Sequence, residues 1–381
     1  MKIIAFYLPQ FHSIPENDEW WGEGFTEWKN VKKAQPLFKD HYQPRVPLNG
    51  NYYNLLDDEV KKWQINLAKK YGVYGFCFYH YWFDGKLLLE KPIEQFKDNS
   101  ELNHPYCMCW ANENWTNAWV ADKDPKTLMS QRYGDKPEWK THFDYLLPFF
   151  LDDNYIKEEG KPLFVIYRPE IIDCLNEMLD YWQALAVESG LSGINFAYQQ
   201  LPFYLKKDKD DSRFRYNIEY QPGYALHDMK TNDKDKSSSI LYKFRTSIRE
   251  VINTIDKTFK TNFIAKFAGN KLRLIDFNEA WKSIIKRGPT NNKSIPGSFV
   301  GWDNTPRRQN GTVYTGSTPA AFQEHMINQI KNARDIYKTD KIFLFAWNEW
   351  AEGGYMEPDE KYKYGYLEAL NNALIETGEK E

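Results

Sequence analysis

Short apolar runs alternate along this chain with longer stretches of helical periodicity. The runs cover residues 2–8, 73–79, 106–110, 162–167, 193–198, 216–220, 297–302 and 341–346. The stretches predict helices at 58–71, 89–98, 137–151, 173–188, 240–258, 276–287, 318–337 and 363–377. Unbroken apolar runs are typical of parallel strands buried on both faces. Eight of them alternating with helices predict an α/β fold, a closed (β/α)8 TIM barrel.

The length of 381 residues fits one such barrel with long loops, so we expect residues 1–381 to form a single domain. An open doubly wound sheet is the alternative, but LPQFHSIPEN follows the first run where a glycine-rich phosphate loop would stand. Two regions break the pattern. The charge run at 201–215 predicts a solvated loop. The insertion at 223–296, between strands six and seven, predicts a small subdomain at the barrel mouth or a surface segment.

Charge and cysteine content exclude several classes of protein. Lys and Arg total 50 against 53 Asp and Glu, so no basic surface for nucleic acid or anionic membrane is expected. No Cys-x-x-Cys pair occurs among Cys77, Cys107, Cys109 and Cys174, which argues against a disulfide scaffold or a zinc site. No window holds the roughly 18 apolar residues of a transmembrane segment. Because MKIIAFYLPQFH enters a strand directly, we expect a cytoplasmic protein.

Polar and aromatic residues follow seven of the eight runs. Active sites of these barrels form at the carboxyl ends of the strands, so these residues are the candidates for binding. In chain order they are Tyr7, Gln10, His12, Tyr79, His80, Tyr81, Trp82, Trp110, Asn112, Glu113, Asn114, Trp115, Tyr167, Arg168, Glu219, Tyr220, Trp302, Asp303, Asn304, Trp347, Asn348, Glu349, Trp350, Glu352 and Tyr355.

This set has the composition of a sugar-binding site, because amides and carboxylates bond hydroxyls while aromatic faces stack on sugar rings. The aromatic content of 17% fits that interpretation. Each residue taken alone has an ordinary structural explanation, and their recurrence across strand ends favours function. We therefore expect Tyr79, Trp110, Asp303 and Glu349 around one mouth. Trp20, Trp21 and Trp28, in the loop after the first run, either form a cleft wall or attach that loop to the barrel.

Glu349 and Glu352 are the candidate catalytic carboxylates. Glycoside cleavage needs one acid to protonate the leaving oxygen and a second carboxylate as base or nucleophile. A Glu-x-x-Glu at the end of a strand brings both side chains to one side of the backbone. Repulsion between them and the nearby Trp347, Trp350 and Tyr355 would raise one pKa. The alternative is a pair of glutamates at a helix cap or an exposed turn.

Six segments carry a family resemblance: FYLPQFHSIPENDEWWGEGFTEW, YGFCFYHYWFDG, CWANENWT, GKPLFVIYRP, GWDNTPRR and AWNEWAEGGYMEPD. In that order they resemble the WbsX-type proteins of bacterial surface-polysaccharide clusters, over residues 1 to about 370. The WNEWAEG segment and the barrel are also similar to the family 99 glycoside hydrolases, which are endo-acting α-mannosidases and mannanases. This second resemblance is more distant.

The resemblance implies roles for the two glutamates. In the hydrolases an Asn-Glu-Trp-His-Glu segment supplies both carboxylates, which match Glu349 and Glu352 here. The first would deprotonate the sugar's own 2-hydroxyl, which attacks the anomeric carbon to give a 1,2-anhydro sugar. The second would protonate the leaving group and then activate water, with retention of configuration. Ala351 stands where the hydrolase segment has histidine, so that contact is missing.

Three further interpretations stay open at this point. WbsX-type proteins are commonly labelled glycosyltransferases, and a retaining transferase or transglycosylase could use the same carboxylates. A glycan-binding protein without catalysis would explain the aromatics but not the paired glutamates. A metal site is disfavoured because His12, His41 and His80 lack ligand spacing and Asp208, Asp210 and Asp211 lie in a lysine-rich run. We therefore expect a polysaccharide or oligosaccharide substrate, with no cofactor and no metal.

Overall fold

The structure is a computed structural model that describes residues 1–117, 126–201, 210–236, 272–308 and 310–380. A parallel barrel forms its centre. The strands are β1 Lys2–Tyr7, β2 Val73–Phe83, β3 Tyr106–Trp110, β4 Lys161–Ile166, β5 Asn195–Gln200, β6 Phe214–Glu219, β7 in two segments, Ser294–Ile295 and Gly297–Phe299, and β8 Lys341–Phe345. The predicted TIM barrel is confirmed.

Two sets of strand pairings close the barrel, that of β1 with β8 and those that β7 makes with its two neighbours. The first and last strands pair directly, with Lys2 opposite Lys341 and Ala5 opposite Leu344. The two segments of β7 are separated by Pro296, which has no N–H to donate to a ladder. The first segment pairs with β6 and the second with β8, so the interrupted strand joins both neighbours. Gly297 sits where a Cβ would lie 1.9 Å from the Glu219 carbonyl oxygen, so only glycine fits there.

Helices cover the outside of the barrel. They span Asp58–Tyr71, Lys91–Asp98, Lys136–Leu151, Leu175–Glu188, Gly223–Lys236, Phe277–Lys286, Pro319–Asp335 and Gly365–Glu376. Seven of the predicted helices are confirmed within about two residues at each end. The eighth, predicted at 240–258, lies outside the described residues. No helix in the described ranges is long and apolar enough to cross a membrane.

Local signals explain where these helices begin and end. The carboxylate of Asp57 accepts a hydrogen bond from the Glu59 amide at 3.0 Å, which caps the helix that follows. That helix ends at Gly72, whose φ of 88° is the left-handed conformation favoured by glycine. Thr318 caps the helix Pro319–Asp335 in the same way. The sequence therefore carries the boundaries as well as the periodicity of these helices.

The loop after β1 contains two helices that the periodicity did not predict, Pro15–Trp21 and Glu27–Lys33. The second packs on the turn after β8, where the Trp28 and Trp350 ring centroids are 5.4 Å apart. The Trp28 indole N–H also donates to the Tyr53 carbonyl at 2.8 Å. This loop is therefore fixed against the carboxyl end of the barrel.

The predicted insertion 223–296 begins with the helix Gly223–Lys236 and includes the barrel helix Phe277–Lys286. Arg273–Asp276 pairs in parallel with Thr312–Thr315 in a separate two-stranded sheet. Residues 237–271 of this insertion and residues 202–209 of the charge run lie outside the described residues. All four cysteines are free thiols, and Cys77, Cys107 and Cys109 are buried in the barrel.

Candidate active site

A cleft of about 480 Å³ opens at the carboxyl ends of the strands. We call it the catalytic cleft. Its lining consists of Leu8, Gln10, Asn17, Trp21, Phe25, Glu27, Asn30, Lys33, Tyr79, Tyr81, Phe83, Ala111, Glu113, Asn114, Trp115, Thr116, Tyr167, Tyr220, Arg307, Phe345, Glu349 and Glu352. Aromatic rings, amides and carboxylates therefore share one concave surface, as a sugar site requires.

A larger cavity, of about 810 Å³, lies at the amino ends of β5 to β8. Several of its charged side chains are engaged in ion pairs: Arg213 contacts Asp180 at 2.7 Å and Lys341 contacts Asp340 at 2.6 Å. Conversion of substrate in this fold takes place at the opposite face, where the strands end. The smaller catalytic cleft is therefore the candidate site.

The turn after β8 carries the two glutamates. Asn348–Glu349 pairs antiparallel with Gly354–Tyr355 around the short 3-10 turn Trp350–Glu352. Gly353 has a φ of 65°, and a Cβ on Gly354 would lie 2.2 Å from the Phe345 ring. Because the turn folds back so closely on β8, both carboxylates face the catalytic cleft. Glu349 is 4% exposed and Glu352 is 8% exposed.

Arg307, from the loop after β7, bridges these carboxylates. Its Nη1 lies 2.7 Å from Oε1 of Glu352, and its Nη2 lies 3.0 Å from Oε1 of Glu349. The same Nη2 lies 3.2 Å from Oε2 of Glu27, on the loop after β1. One guanidinium thus contacts three carboxylates that come from opposite ends of the chain.

Burial and charge act in opposite directions on these acids. Burial raises the pKa of Glu349 well above its usual range and raises the pKa of Glu352, and the charge of Arg307 opposes both shifts. The charges of neighbouring carboxylates add to the upward shift, Glu352 and Glu27 acting on the pKa of Glu349 and Glu27 on the pKa of Glu352. In a pair this close the proton belongs to the pair and not to one residue. The cluster therefore has the two ionisable groups that acid–base catalysis requires.

A buried polar network lies beneath the turn. The Asn348 side chain accepts from the Leu8 amide at 2.8 Å and donates to the Leu8 carbonyl at 3.0 Å. Glu357 accepts hydrogen bonds from the Trp350 indole at 2.7 Å, the Gln64 amide at 2.7 Å and the Tyr53 hydroxyl at 2.8 Å. Burial raises the pKa of Glu357 to about 7. The network ties the turn to β1 and to the helix Asp58–Tyr71.

Asp303 fixes the turn from its other side. Its backbone N–H donates to the Glu352 carbonyl at 2.6 Å. Its carboxylate contacts the His41 ring at 2.8 Å and the Gln43 amide at 2.7 Å. Burial would raise the pKa of Asp303, but these hydrogen bonds and the charge of Arg45 lower it to about 2. Asp303 is therefore an ionised anchor beneath the catalytic cleft.

Of the residues predicted from the sequence, ten line the catalytic cleft: Gln10, Tyr79, Tyr81, Glu113, Asn114, Trp115, Tyr167, Tyr220, Glu349 and Glu352. The Tyr81 ring stacks on Trp115, with ring centroids 5.1 Å apart and planes at 8°. The Gln10 amide donates to the Tyr81 hydroxyl at 2.9 Å. These contacts hold the aromatic wall in place.

The other predicted residues lie outside the lining of the catalytic cleft. They are Tyr7, His12, His80, Trp82, Trp110, Asn112, Arg168, Glu219, Trp302, Asp303, Asn304, Trp347, Asn348, Trp350 and Tyr355. Of the four residues expected around one mouth, the structure brings Tyr79 and Glu349 to it and buries Trp110 and Asp303 behind it.

Most of this second group supports the strands or the turn. The His80 and His142 Nε2 atoms lie 2.8 Å apart, and Trp82 stacks on His142 with ring centroids 4.4 Å apart. The Trp110 indole donates to the Trp82 carbonyl at 3.2 Å. Hydrogen bonds and ion pairs hold five of the others: Tyr7 donates to Gln64, Asn112 bonds the Arg168 backbone, Arg168 pairs with Glu113 and Glu170, Glu219 accepts from Tyr337, and Tyr355 donates to Asp359.

Aromatic packing holds two more, since Trp302 packs on Phe345 and Trp347 packs on Phe76. His12 is buried.

Besides Lys33, the strand-end rule missed two charged members of the cleft, Glu27 and Arg307. Both belong to long loops whose path back to the barrel axis carries no periodic signal. The sequence did contain a signal for both residues. Glu27 lies in the motif GFTEW and Arg307 in GWDNTPRR, and each motif places a charged residue beside aromatic and turn residues. Trp21, Phe25, Phe83 and Phe345 complete the aromatic lining.

The three loop tryptophans have different surroundings, which separates the two interpretations offered for them. Trp21 lines the catalytic cleft, Trp20 packs edge-on against Trp115 at 5.6 Å, and Trp28 is buried between the loop and Trp350. We expect Trp21→Ala to weaken glycan binding about 3- to 10-fold, the effect of one lost aromatic contact, with little change in Tm. Titration calorimetry with a glycan fragment measures this.

Trp28→Ala is the matched variant for that prediction. It removes a buried indole, so it should lower the free energy of unfolding by about 3–5 kcal/mol. Thermal unfolding beside calorimetry separates the two effects. Unchanged glycan affinity in Trp21→Ala would contradict a role for the Trp21 ring in binding.

A sequence model described as "Glycosyltransferase WbsX" matches residues 3–370 of the chain. Two curated relatives, from two strains of Xanthomonas campestris pv. campestris and both named "Uncharacterized protein WxcX", are 32% identical over 377 residues and cover 98% of this chain. The chain spans about half the length of these relatives, 49%.

Solved structures resemble the chain at the level of the fold. A "Glycoside hydrolase-like protein" has a TM-score of 0.54 at 13% identity, over 98% of this chain and 93% of its own. The GH99 endo-alpha-mannosidase from Bacteroides thetaiotaomicron has a TM-score of 0.51 at 13% identity, over 99% and 97%. Their likeness extends over the whole barrel.

Proposed function

The chain belongs to the WbsX glycosyltransferase family, and from that premise we propose that it breaks glycosidic bonds within a complex polysaccharide or oligosaccharide by retaining, endo-acting hydrolysis. The single observation that carries this proposal is the placement of Glu349 and Glu352 on one turn at the base of an aromatic-lined cleft. Two buried carboxylates beside one site supply the acid and the base that glycoside cleavage needs.

The proposed first step forms one bond and breaks another. Glu349 takes the proton of the sugar's 2-hydroxyl, whose oxygen bonds to the anomeric carbon. As the glycosidic C–O bond breaks, Glu352 gives its proton to the departing oxygen. In the second step Glu352 takes a proton from water, whose oxygen bonds to the anomeric carbon. As the bond between the anomeric carbon and the 2-oxygen breaks, Glu349 returns its proton to the 2-oxygen, so both carboxyls regain their starting states. Two inversions at that carbon give net retention.

The lining of the cleft supports a neutral sugar chain as substrate. Tyr81, Trp115 and Trp21 offer ring faces, and Gln10, Asn17 and Asn114 offer amides to hydroxyl groups. Because the fold is that of the endo-alpha-mannosidase, α-mannosides are the first substrates to test. Ala351 leaves this chain without the histidine of the hydrolase segment, so other sugars belong in the same panel.

Transfer to a sugar hydroxyl is the second candidate function, favoured by the family's description as a glycosyltransferase. The same two carboxylates would serve it. A sugar hydroxyl would replace water in the second step, with Glu352 removing its proton. The two functions therefore differ in the acceptor and not in the catalytic pair.

Incubation with bacterial surface polysaccharides and α-mannans tests the proposal. We expect the wild-type protein to release fragments of several sugars from at least one polymer, with the anomeric configuration retained by NMR. Products longer than the substrate in the presence of an acceptor oligosaccharide would establish transfer instead. Binding of a polymer with no change in its length would contradict both functions.

A further inference from the structure

Glu27 has no part in the two steps proposed above, yet it is buried in the same charged cluster. Its Oε2 lies 3.2 Å from Nη2 and 3.4 Å from Nε of Arg307, so it contacts the side edge of the guanidinium. The opposite nitrogen, Nη1, is left for Glu352 at 2.7 Å. A planar guanidinium held along one edge has its remaining N–H groups fixed in direction.

The position of Glu27 is itself fixed by the fold. Glu27 is the first residue of the helix Glu27–Lys33, and its amide donates to the Gln10 carbonyl at 3.2 Å. The Asn30 side chain, one turn later, donates to Oε2 of Glu27 at 3.3 Å. Trp28 packs that helix on Trp350, within the turn that carries the catalytic pair. The carboxylate is therefore held rigidly relative to Glu349 and Glu352.

We propose that Glu27 is a positioning residue, which holds Arg307 between Glu349 and Glu352 and thereby sets how charge is divided between the two. The effect of Glu27 on catalysis rests on the proposed function, whereas its effect on the charges of the pair does not. Without Glu27, the guanidinium would be free to turn fully toward the catalytic pair and neutralise both carboxylates. With Glu27 present, part of the positive charge of Arg307 is neutralised by the Glu27 carboxylate, and one catalytic glutamate can retain its proton.

Other charged and titratable groups face the cluster and are unchanged by a substitution at Glu27. They are Arg308 on the loop after β7, Tyr167 after β4, Tyr220 after β6, Tyr81 on β2, Glu113 after β3 and Lys33 on the loop helix. The negative charge of Glu27 raises the pKa of both catalytic glutamates, and its removal acts in the opposite direction.

Glu27→Gln removes the charge while keeping the size of the side chain. We expect kcat/KM at neutral pH to fall by roughly 10- to 100-fold, because less of the general acid is protonated there. The basic limb of the pH profile should move to lower pH, so activity recovers on acidification. Glu27→Asp keeps the charge but shortens the side chain, so it should shift the profile less than Glu27→Gln does. Glu23→Gln, on an exposed residue of the same loop, is the matched control for lost surface charge.

A measurement independent of catalysis keeps this inference separate from the proposed function. In protein labelled with 13C at glutamate carboxyls, the signals of the pair are assigned with Glu349→Gln and Glu352→Gln, and then titrated. We expect their midpoints to be lower in Glu27→Gln than in the wild type, whether or not a cleavable glycan has been found. Unchanged midpoints in folded Glu27→Gln would overturn the proposal. So would a higher KM with an unshifted pH profile, since that result indicates direct contact with the glycan.

Discussion

Glu352→Gln is expected to lower the rate of cleavage of a natural glycan by about 10² to 10⁴, the usual contribution of a general acid. Gln keeps the shape of the side chain but has no proton to give to the leaving oxygen. A substrate with a good leaving group, such as a nitrophenolate, needs no such proton, so its first step should lose far less. Comparison of kcat/KM on the two substrates measures the acid role directly.

The control for this experiment is Glu368→Gln, an exposed glutamate on the helix Gly365–Glu376. It makes the same chemical change far from the cleft and should leave both rates unchanged. Circular dichroism must show that the Glu352→Gln protein is folded. An unimpaired Glu352→Gln enzyme would place the active site elsewhere in the molecule.

Glu349→Gln is expected to be severely impaired on both substrates, by roughly 10² to 10⁴ in kcat/KM. Glu349 is proposed to act on the 2-hydroxyl of the sugar, and a good leaving group does not replace a missing base. Plotting the losses of the two variants against leaving-group pKa separates their roles. Equal losses for both variants on both substrates would mean that the roles have been assigned wrongly.

The substrate provides a second test of the same role. A sugar with hydrogen or fluorine at the 2-position has no hydroxyl to deprotonate, so the wild-type enzyme should fail to cleave it. A sugar altered at the 6-position is the matched control, because the proposed step does not involve that hydroxyl. Normal cleavage of the 2-deoxy compound would indicate that Glu349 attacks the anomeric carbon itself.

The barrel was predictable because each strand and helix carries its own local signal. Apolar runs marked all eight strands, and caps such as Asp57 and Thr318 marked helix starts. β2 extends to Phe83, beyond its predicted end, because its last residues pair with Lys86–Leu88 outside the barrel. The break in β7 follows from Pro296, and the loop helices Pro15–Trp21 and Glu27–Lys33 are too short for periodicity to mark them.

For the site, the sequence predicted which strand ends contribute residues but not which side chains at those ends face the cleft. Side chains alternate along a strand, so Tyr79 and Tyr81 face the catalytic cleft while His80 and Trp82 point out to the helix Lys136–Leu151. The sequence places aromatic or imidazole rings at all four positions, so composition does not distinguish the inner face from the outer one. The contact of Arg307 with Glu27 depends on the path of two loops, which no local pattern records.

The pairing of Lys2 with Lys341 in adjacent strands constrains when the barrel can fold during synthesis. At about 5–20 residues per second, roughly 20 to 70 s of synthesis separate the first strand from its partner. Throughout that interval one edge of the first strand has no partner strand, and Glu27 lacks the turn that carries Glu349 and Glu352. The catalytic cleft therefore forms only after the last strand of the barrel has left the ribosome and paired with the first.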